Sequence, residues 1–424
     1  MSHVIIKSIP FTTQIKQGAR HILAHDKARA QKLVQGLHPH GPLGHKATAA
    51  GRHRHHHHHK HHPVPEPTPN DPPEPAPAPP SGDPDAAKDS IDVTDAGVTY
   101  TMSVGVGSPA TQYTLLIDTG SSNTWVGAGK AYKQTSTSKS TRNSVNVTYG
   151  SGSFSGTEFT DEVTLGSLVI KNQSIGVASK ANGFQDVDGI LGIGPVDLTE
   201  GTVSNTPNVP TVTQNMFTQK LIPTESIGIS YEPTTSDGAL NGELTFGSVD
   251  TSKTTSDVTF VPITSTSPAS NYWGIDQTIS YGQDSSPLLT SSGIVDTGTT
   301  LLLIATDAFN AYQKATGATL DQTTGLLTVT EEQFSNMQSL FFNIGGTTFE
   351  FTPNAQIWPR SQNSQLGGEE GKIYLITSDL GNNSGTGLDF INGFAFLQRF
   401  YSVYDTTNAQ VGLATTPFTN AETN

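Results

Sequence analysis

From about Asp92 onward the chain alternates apolar and polar residues in short runs, broken by Gly, Asn, Asp and Ser. That period of two, punctuated by turn formers, predicts strands joined by tight connections. Residues 98–106 and 113–117 read as strands, the second ending at Asp118. Residues 145–149 and 154–159 read as a hairpin whose tip is Gly150-Ser151-Gly152-Ser153. Residues 163–177 read as further short strands, 340–351 as a hairpin about Gly345-Gly346, and 400–404 and 411–413 as closing strands. Helical spacing is rarer. It predicts helices over 306–315 and 331–340, the latter on Phe334, Met337 and Leu340, and a weaker one over 17–34.

At 424 residues the chain exceeds one ordinary core, so at least two packed units are expected. Abundant Gly, Ser and Thr agree with an all-β body. Apolar runs stay short, as in Leu301-Leu302-Leu303-Ile304, so no membrane association is expected. Val4-Ile5-Ile6 is the only apolar run before Lys7, too short for the core of a secretory leader, so the expectation is either a leader missing from this numbering or a protein that stays inside.

Composition then narrows the chemistry. The chain has no Cys, which removes disulfides, zinc–thiolate sites and a thiol nucleophile. All 14 His lie between His3 and His62. The body after them therefore lacks both a Ser-His-Asp triad and the usual histidine-bound zinc. If it is a hydrolase, its acid and base are carboxylates, and no metal or cofactor is called for. Charge divides at the same place: residues 1–62 carry +9 and residues 63–424 carry −23. A basic front is thus drawn to an acidic body, and the acidity of the body speaks against nucleic acid as a partner.

The expected organisation is a basic segment over 1–62, a linker over 63–90, a first lobe over 91–255 and a second over 256–424. The histidine tract over 53–62 reads as a solvated low-complexity stretch, with metal binding or pH sensing as its sharper alternative. The proline-dense stretch over 63–84 reads as a stiff, extended spacer.

One stretch and its echo carry the chemistry. Leu115-Leu116-Ile117-Asp118-Thr119-Gly120-Ser121-Ser122 is matched by Gly293-Ile294-Val295-Asp296-Thr297-Gly298-Thr299-Thr300. A lone Asp-Thr-Gly is an ordinary turn. Two copies, each after an apolar run and before hydroxyl residues, place a carboxylate at the end of a buried strand twice. Gly lets the backbone turn so that N–H groups face the carboxylate. Two carboxylates held together cannot both ionise easily and share a proton.

The run Asp118-Thr119-Gly120-Ser121-Ser122-Asn123-Thr124-Trp125-Val126-Gly127 resembles the pepsin-like aspartic proteases, and among them the Cys-free acid enzymes of basidiomycete fungi. So do Val147-Thr148-Tyr149-Gly150-Ser151-Gly152, Asp188-Gly189-Ile190-Leu191-Gly192, Gly242-Glu243-Leu244-Thr245-Phe246-Gly247, Ser270-Asn271-Tyr272-Trp273-Gly274 and Arg399-Phe400-Tyr401-Ser402-Val403-Tyr404-Asp405. The resemblance covers about Tyr100 to Thr416. It implies a bilobal all-β fold of two barrel-like lobes with a cleft between them. It also implies an endopeptidase acting at acid pH, made as a zymogen, with a preference for apolar residues beside the cut.

By the same resemblance Asp118 and Asp296 are the catalytic dyad. Tyr149 with Gly150 belongs to a flap over the substrate, and Trp125 is the hydrogen-bonding partner of Tyr149. Ser121 and Thr299 bond the outer carboxylate oxygens, while Thr119 and Thr297 interlock the loops. Leu116, Ile190 and Phe184 are candidates for the apolar pocket before the cut, with core packing as the alternative, favoured for Phe184. One departure is Asn392 in Ile391-Asn392-Gly393, a polar group that needs a hydrogen-bond partner. The basic front resembles a propeptide inhibiting its own chain, with a Lys or Arg in reach of the dyad. The histidine tract over 53–62 would gain charge near about pH 6.5 and tighten docking before deeper acid breaks it. Partners are then protein or peptide substrates, the chain is a monomer, and its location is extracellular.

Sequons stand at Asn146, Asn172 and Asn382. Two other readings compete. One is a catalytically silent pepsin-fold binding or inhibitor protein. The other is a secreted glycan-binding β protein, which leaves the paired Asp loops unexplained.

Overall fold

The structure, a computed structural model, describes residues 7–15, 18–36, 98–233 and 240–424. The histidine tract and the proline-rich spacer lie outside the described residues. Strands dominate, and the fold is all-β and bilobal.

Among the described residues the strands form a 13-stranded sheet, a seven-stranded sheet and a small three-stranded one. In the first half, Val98–Val106 pairs with Thr111–Asp118, which runs parallel to Gly189–Gly192. Trp125–Val126, Leu168–Asn182 and Ser153–Leu165 follow in order, and Ser153–Leu165 returns to Val98–Val106, closing a barrel. The second half repeats the central device: Pro287–Val295 runs parallel to Phe390–Asn392, which pairs antiparallel with Leu302–Ile304. In both halves the strand leading into Asp is therefore flanked by a parallel neighbour from much later in the chain. Final strands Phe400–Asp405 and Gln410–Thr415 join the large sheet through Ser226–Tyr231.

Several expectations are corrected. Residues 163–177 do not form separate short strands. They belong to one long hairpin, Ser153–Leu165 with Leu168–Asn182, whose bulges let it curl. The helix expected over 331–340 stops at Ser335, because Leu340 opens the strand Leu340–Ile344. Its start is secure: Thr330 accepts from the Gln333 N–H, and the Gln333 side chain reaches back to the Thr330 N–H.

The basic front holds two elements. Lys7–Ile15 is a strand inserted between Leu240–Phe246 and Val98–Val106. Ala19–Val34, here α1, is a helix whose Ala19, Ile22, Leu23, Ala30 and Leu33 are buried. The Ala19 N–H donates to the Leu366 carbonyl at 2.9 Å, and the Tyr272 hydroxyl donates to the Leu33 carbonyl at 3.0 Å. Both ends of α1 are thus tied to the second half of the chain.

Candidate active site

Each motif copy leaves its strand as a tight loop, and the two loops meet. The Thr119 N–H donates to Thr297 Oγ1 at 3.0 Å, and the Thr297 N–H donates to Thr119 Oγ1 at 2.9 Å. This reciprocal pair is fully buried and fixes one loop against the other. Within each loop the pattern repeats. The Gly120 N–H donates to Asp118 Oδ1 at 2.9 Å and Ser121 Oγ to Asp118 Oδ2 at 2.6 Å. The Gly298 N–H donates to Asp296 Oδ1 at 3.0 Å and Thr299 Oγ1 to Asp296 Oδ2 at 2.7 Å. Each carboxylate accepts one backbone and one hydroxyl hydrogen bond, which is what the paired sequence pattern requires.

Asp118 and Asp296 are both buried. Between them sits Arg29 of α1. Its Nη2 donates to Asp118 Oδ1 at 2.5 Å and to Asp296 Oδ1 at 2.9 Å, and its Nε donates to Asp296 Oδ2 at 2.6 Å. Burial disfavours the charge on Arg29, but the two carboxylates outweigh burial and raise its pKa above the ordinary value. Burial likewise pushes Asp296 upward. The Arg29 charge, with hydrogen bonds from Arg29, Thr299 and Gly298, prevails and holds it below the usual carboxylate value. Of the described Lys and Arg residues of the front, Arg29 is the one that reaches the dyad. No local signal singles Arg29 out from the other basic residues there.

Over the dyad lies the glycine-rich hairpin tip. The Tyr149 N–H donates to the Gly152 carbonyl at 2.7 Å, closing the turn, and Trp125 Nε1 donates to the Tyr149 hydroxyl at 3.0 Å. Burial raises the pKa of Tyr149, so its hydroxyl keeps its proton. Trp125 stacks on Phe154 with centroids 4.2 Å apart, and Phe184 meets it edge-on at 4.9 Å. Phe184 also meets Tyr149 edge-on at 5.5 Å. Gly150 has a steric duty: a Cβ there would lie 2.5 Å from the Arg29 Cα, inside α1.

Leu116, Ile190 and Phe184 line one cavity beside the dyad, together with Tyr149, His25 and Arg29. Ile190 is buried, while Leu116 and Phe184 are half-buried and face the cavity. Asn392 finds the partner it needs: its Nδ2 donates to Gln277 Oε1 at 2.9 Å, and Gln277 Nε2 donates back at 3.1 Å. The Asn392 carbonyl in turn accepts from the Asp296 N–H at 3.2 Å.

Two carboxylates clasped by interlocked Asp-Thr-Gly loops beneath a Tyr-bearing hairpin define an aspartic-type hydrolase. The family model for eukaryotic aspartyl proteases matches residues 99–416, and the chain belongs to that family. It is 63% identical to polyporopepsin of Irpex lacteus over 340 residues, 80% of this chain and all of that protein. Cathepsin E of Rattus norvegicus is 33% identical over 338 residues, 74% of this chain and 79% of that one. The crystal structure of the aspartic proteinase from Irpex lacteus superposes with a TM-score of 0.75 at 64% identity, covering 77% of this chain and 96% of that chain. The protein is an aspartic endopeptidase.

Proposed function

We propose that this chain is a latent, secreted acid endopeptidase in which Asp118 and Asp296 activate water and α1 blocks them until acid releases it. The observation that carries the reading is Arg29 bonded to both carboxylates at once. With Arg29 in place, neither the attacking water nor a scissile carbonyl has room between the carboxylates.

Once α1 leaves, the two buried carboxylates lose their counter-charge and must share a proton, the behaviour for which aspartic-protease dyads are the standard example. The ionised member takes a proton from water as the oxygen attacks the scissile carbonyl. The protonated member donates to the carbonyl oxygen, giving a neutral tetrahedral intermediate. Its collapse passes a proton to the leaving amine and restores the shared-proton pair. Ser121 and Thr299 fix the outer oxygens, and the Thr119–Thr297 pair holds the carboxylates at a constant separation.

Tyr149, kept protonated and oriented by Trp125, closes over the bound peptide. Leu116, Ile190 and Phe184 offer apolar surface to the residue before the cut, which supports a preference for apolar side chains there. Residues 1–62 then form an inhibitory segment, 63–90 a linker, and 91–255 and 256–424 the two catalytic lobes. Secretion is inferred from the likeness to secreted acid proteases, and no described helix is long and apolar enough to cross a membrane.

The test is hydrolysis of a protein substrate by the acid-treated chain at about pH 3–4, inside the window of a shared-proton pair. Asp118→Asn and a statine-type inhibitor are each expected to abolish it. Hydrolysis surviving Asp118→Asn would refute the mechanism, and none by the parent chain would favour the silent binding or inhibitor protein.

A further inference from the structure

Asp26 is the only acidic residue among the first 62. It lies on α1, three positions before Arg29, and is fully buried. Its carboxylate is held by backbone. The Thr300 N–H donates to Oδ1 at 3.1 Å and to Oδ2 at 3.2 Å, and the Leu301 N–H donates to Oδ2 at 2.9 Å. His25 Nδ1 lies 3.2 Å from Oδ1. Thr300 and Leu301 directly follow Asp296-Thr297-Gly298-Thr299. The loop that bears the second carboxylate is therefore gripped twice by one helix.

The two grips have opposite sign. Residues three apart share a helix face, so α1 presents a cation and an anion side by side. The cation meets carboxylates, and the anion meets N–H donors just beyond them. Sliding α1 by one turn would bring Asp26 towards the dyad or Arg29 towards the amides, each a repulsive match. The arrangement fixes register as well as affinity.

We propose that Asp26 is a second, acid-released anchor of the inhibitory helix, whose charge must be neutralised before the cleft opens. This rests on the protease reading of the cleft given above. The titratable and charged groups around Asp26 are His25 on its own helix, Tyr100 on the packed strand, whose ionisation Asp26 opposes, and the Arg29–Asp118–Asp296 cluster. Arg29 stays charged throughout the acid range, so protons release α1 only by reaching carboxylates. Protonating Asp26 turns charge-assisted hydrogen bonds at Thr300 and Leu301 into weaker neutral ones.

The experiment uses the full chain, carrying Asp26→Asn or Asp26→Ser, beside the parent. Hydrogen exchange at neutral pH is read over residues 296–302. Conversion to the shortened chain is read at about pH 5, above the ordinary carboxylate range. Activity per converted molecule is read last. Both variants are expected to exchange faster at the Thr300 and Leu301 amides, by at least about tenfold, and to convert faster by a similar factor, since charged hydrogen bonds are lost. Activity after conversion is expected to match the parent. Parent-like exchange and conversion in both variants overturns the proposal, as does faster exchange spread over the whole chain, which would report general unfolding. If the parent neither shortens its own chain nor hydrolyses a protein substrate in acid, the protease reading fails, and exchange over residues 296–302 still decides the role of Asp26.

Discussion

Arg29 meets Asp296 edge-on, with Nε on Oδ2 at 2.6 Å and Nη2 on Oδ1 at 2.9 Å. This is the fork-to-carboxylate match that only a guanidinium makes, and the same Nη2 reaches Asp118 at 2.5 Å. Lysine at this position would supply charge without the fork. Arg29→Lys is therefore expected to weaken latency and Arg29→Gln to remove it, because the latter leaves two buried carboxylates without a cation. Losing such a partner costs about 3–5 kcal/mol. The measurement is the rate of conversion at about pH 5, where Gln should convert fastest and the parent slowest. Equal rates for all three would show that Arg29 does not restrain the helix.

The sign of the acid dependence follows from the same contact. Asp296 is held below its ordinary value of 3.8 while Arg29 is docked. Docking is thus fully favoured above the undocked carboxylate's titration and is lost as pH falls through the depressed value. Conversion should accelerate on acidification and level off at neutral pH. A conversion rate that rises from pH 4 to pH 7 would contradict this linkage.

Trp125 Nε1 orients the Tyr149 hydroxyl while its ring packs between Phe154 and Phe184. Tyr149→Phe removes the hydrogen bond with little loss of buried area. A neutral hydrogen bond is worth about 1 kcal/mol, so the melting temperature should move by only a few degrees. The kcat/KM of the converted enzyme should fall by about tenfold or more if the hydroxyl orders the flap over the transition state. An unchanged kcat/KM would make the pair a packing feature alone.

Glu158 is buried under the same lobe and accepts from Ser174 Oγ at 2.5 Å. Burial pushes its pKa up from 4.5 to about 7, against the smaller downward pull of Ser174. The folded chain therefore binds this proton where the unfolded chain has released it, and stability falls as pH rises between those values. The full contribution is present below pH 4.5 and absent above about pH 7, roughly 3 kcal/mol in all. Glu158→Gln should raise the melting temperature at pH 8 and leave it nearly unchanged at pH 4. A stabilisation of equal size at both pH values would exclude Glu158 as the source of neutral-pH instability.

The Asn392–Gln277 pair is a closed exchange of two amides, both buried, directly behind Asp296. Asn392→Ala strands the Gln277 amide and should cost about 1–3 kcal/mol in unfolding free energy. Adding Gln277→Leu, which removes the stranded group, should recover part of the loss. Denaturant unfolding of the single and double variants measures the coupling, and strict additivity would show that the two amides act independently.

Much of this was legible along the chain because it depends on local rules. The alternation from Val98 to Val106 defines a strand by its period, the apolar runs into Asp118 and Asp296 fit buried strands because turn formers bound them, and Asp-Thr-Gly encodes its own turn. The helix expected over 17–34 is present as Ala19–Val34. What failed locally was set by distant partners. Residues 336–340 carry helical spacing, but Leu340 is taken by pairing with Tyr281 and Phe351, and the sheet overrides the spacing. Lys7–Ile15 is not among the expected strands, although Ile9, Phe11 and Ile15 alternate; what makes this short stretch a strand is the pair of sheet edges it lies between.

By itself, then, the sequence determined the chemistry available: a body without His or Cys, two loops that can each present a carboxylate, and a basic front to oppose them. Only the tertiary structure decided that the loops interlock through Thr119 and Thr297, that Arg29 rather than another cation of the front enters the dyad, and that Asp26 holds the amides beyond it. The physical reason is range. A turn or a strand period is fixed by neighbours in sequence, whereas a buried ion pair spanning 267 positions exists only once both barrels and the helix between them have packed.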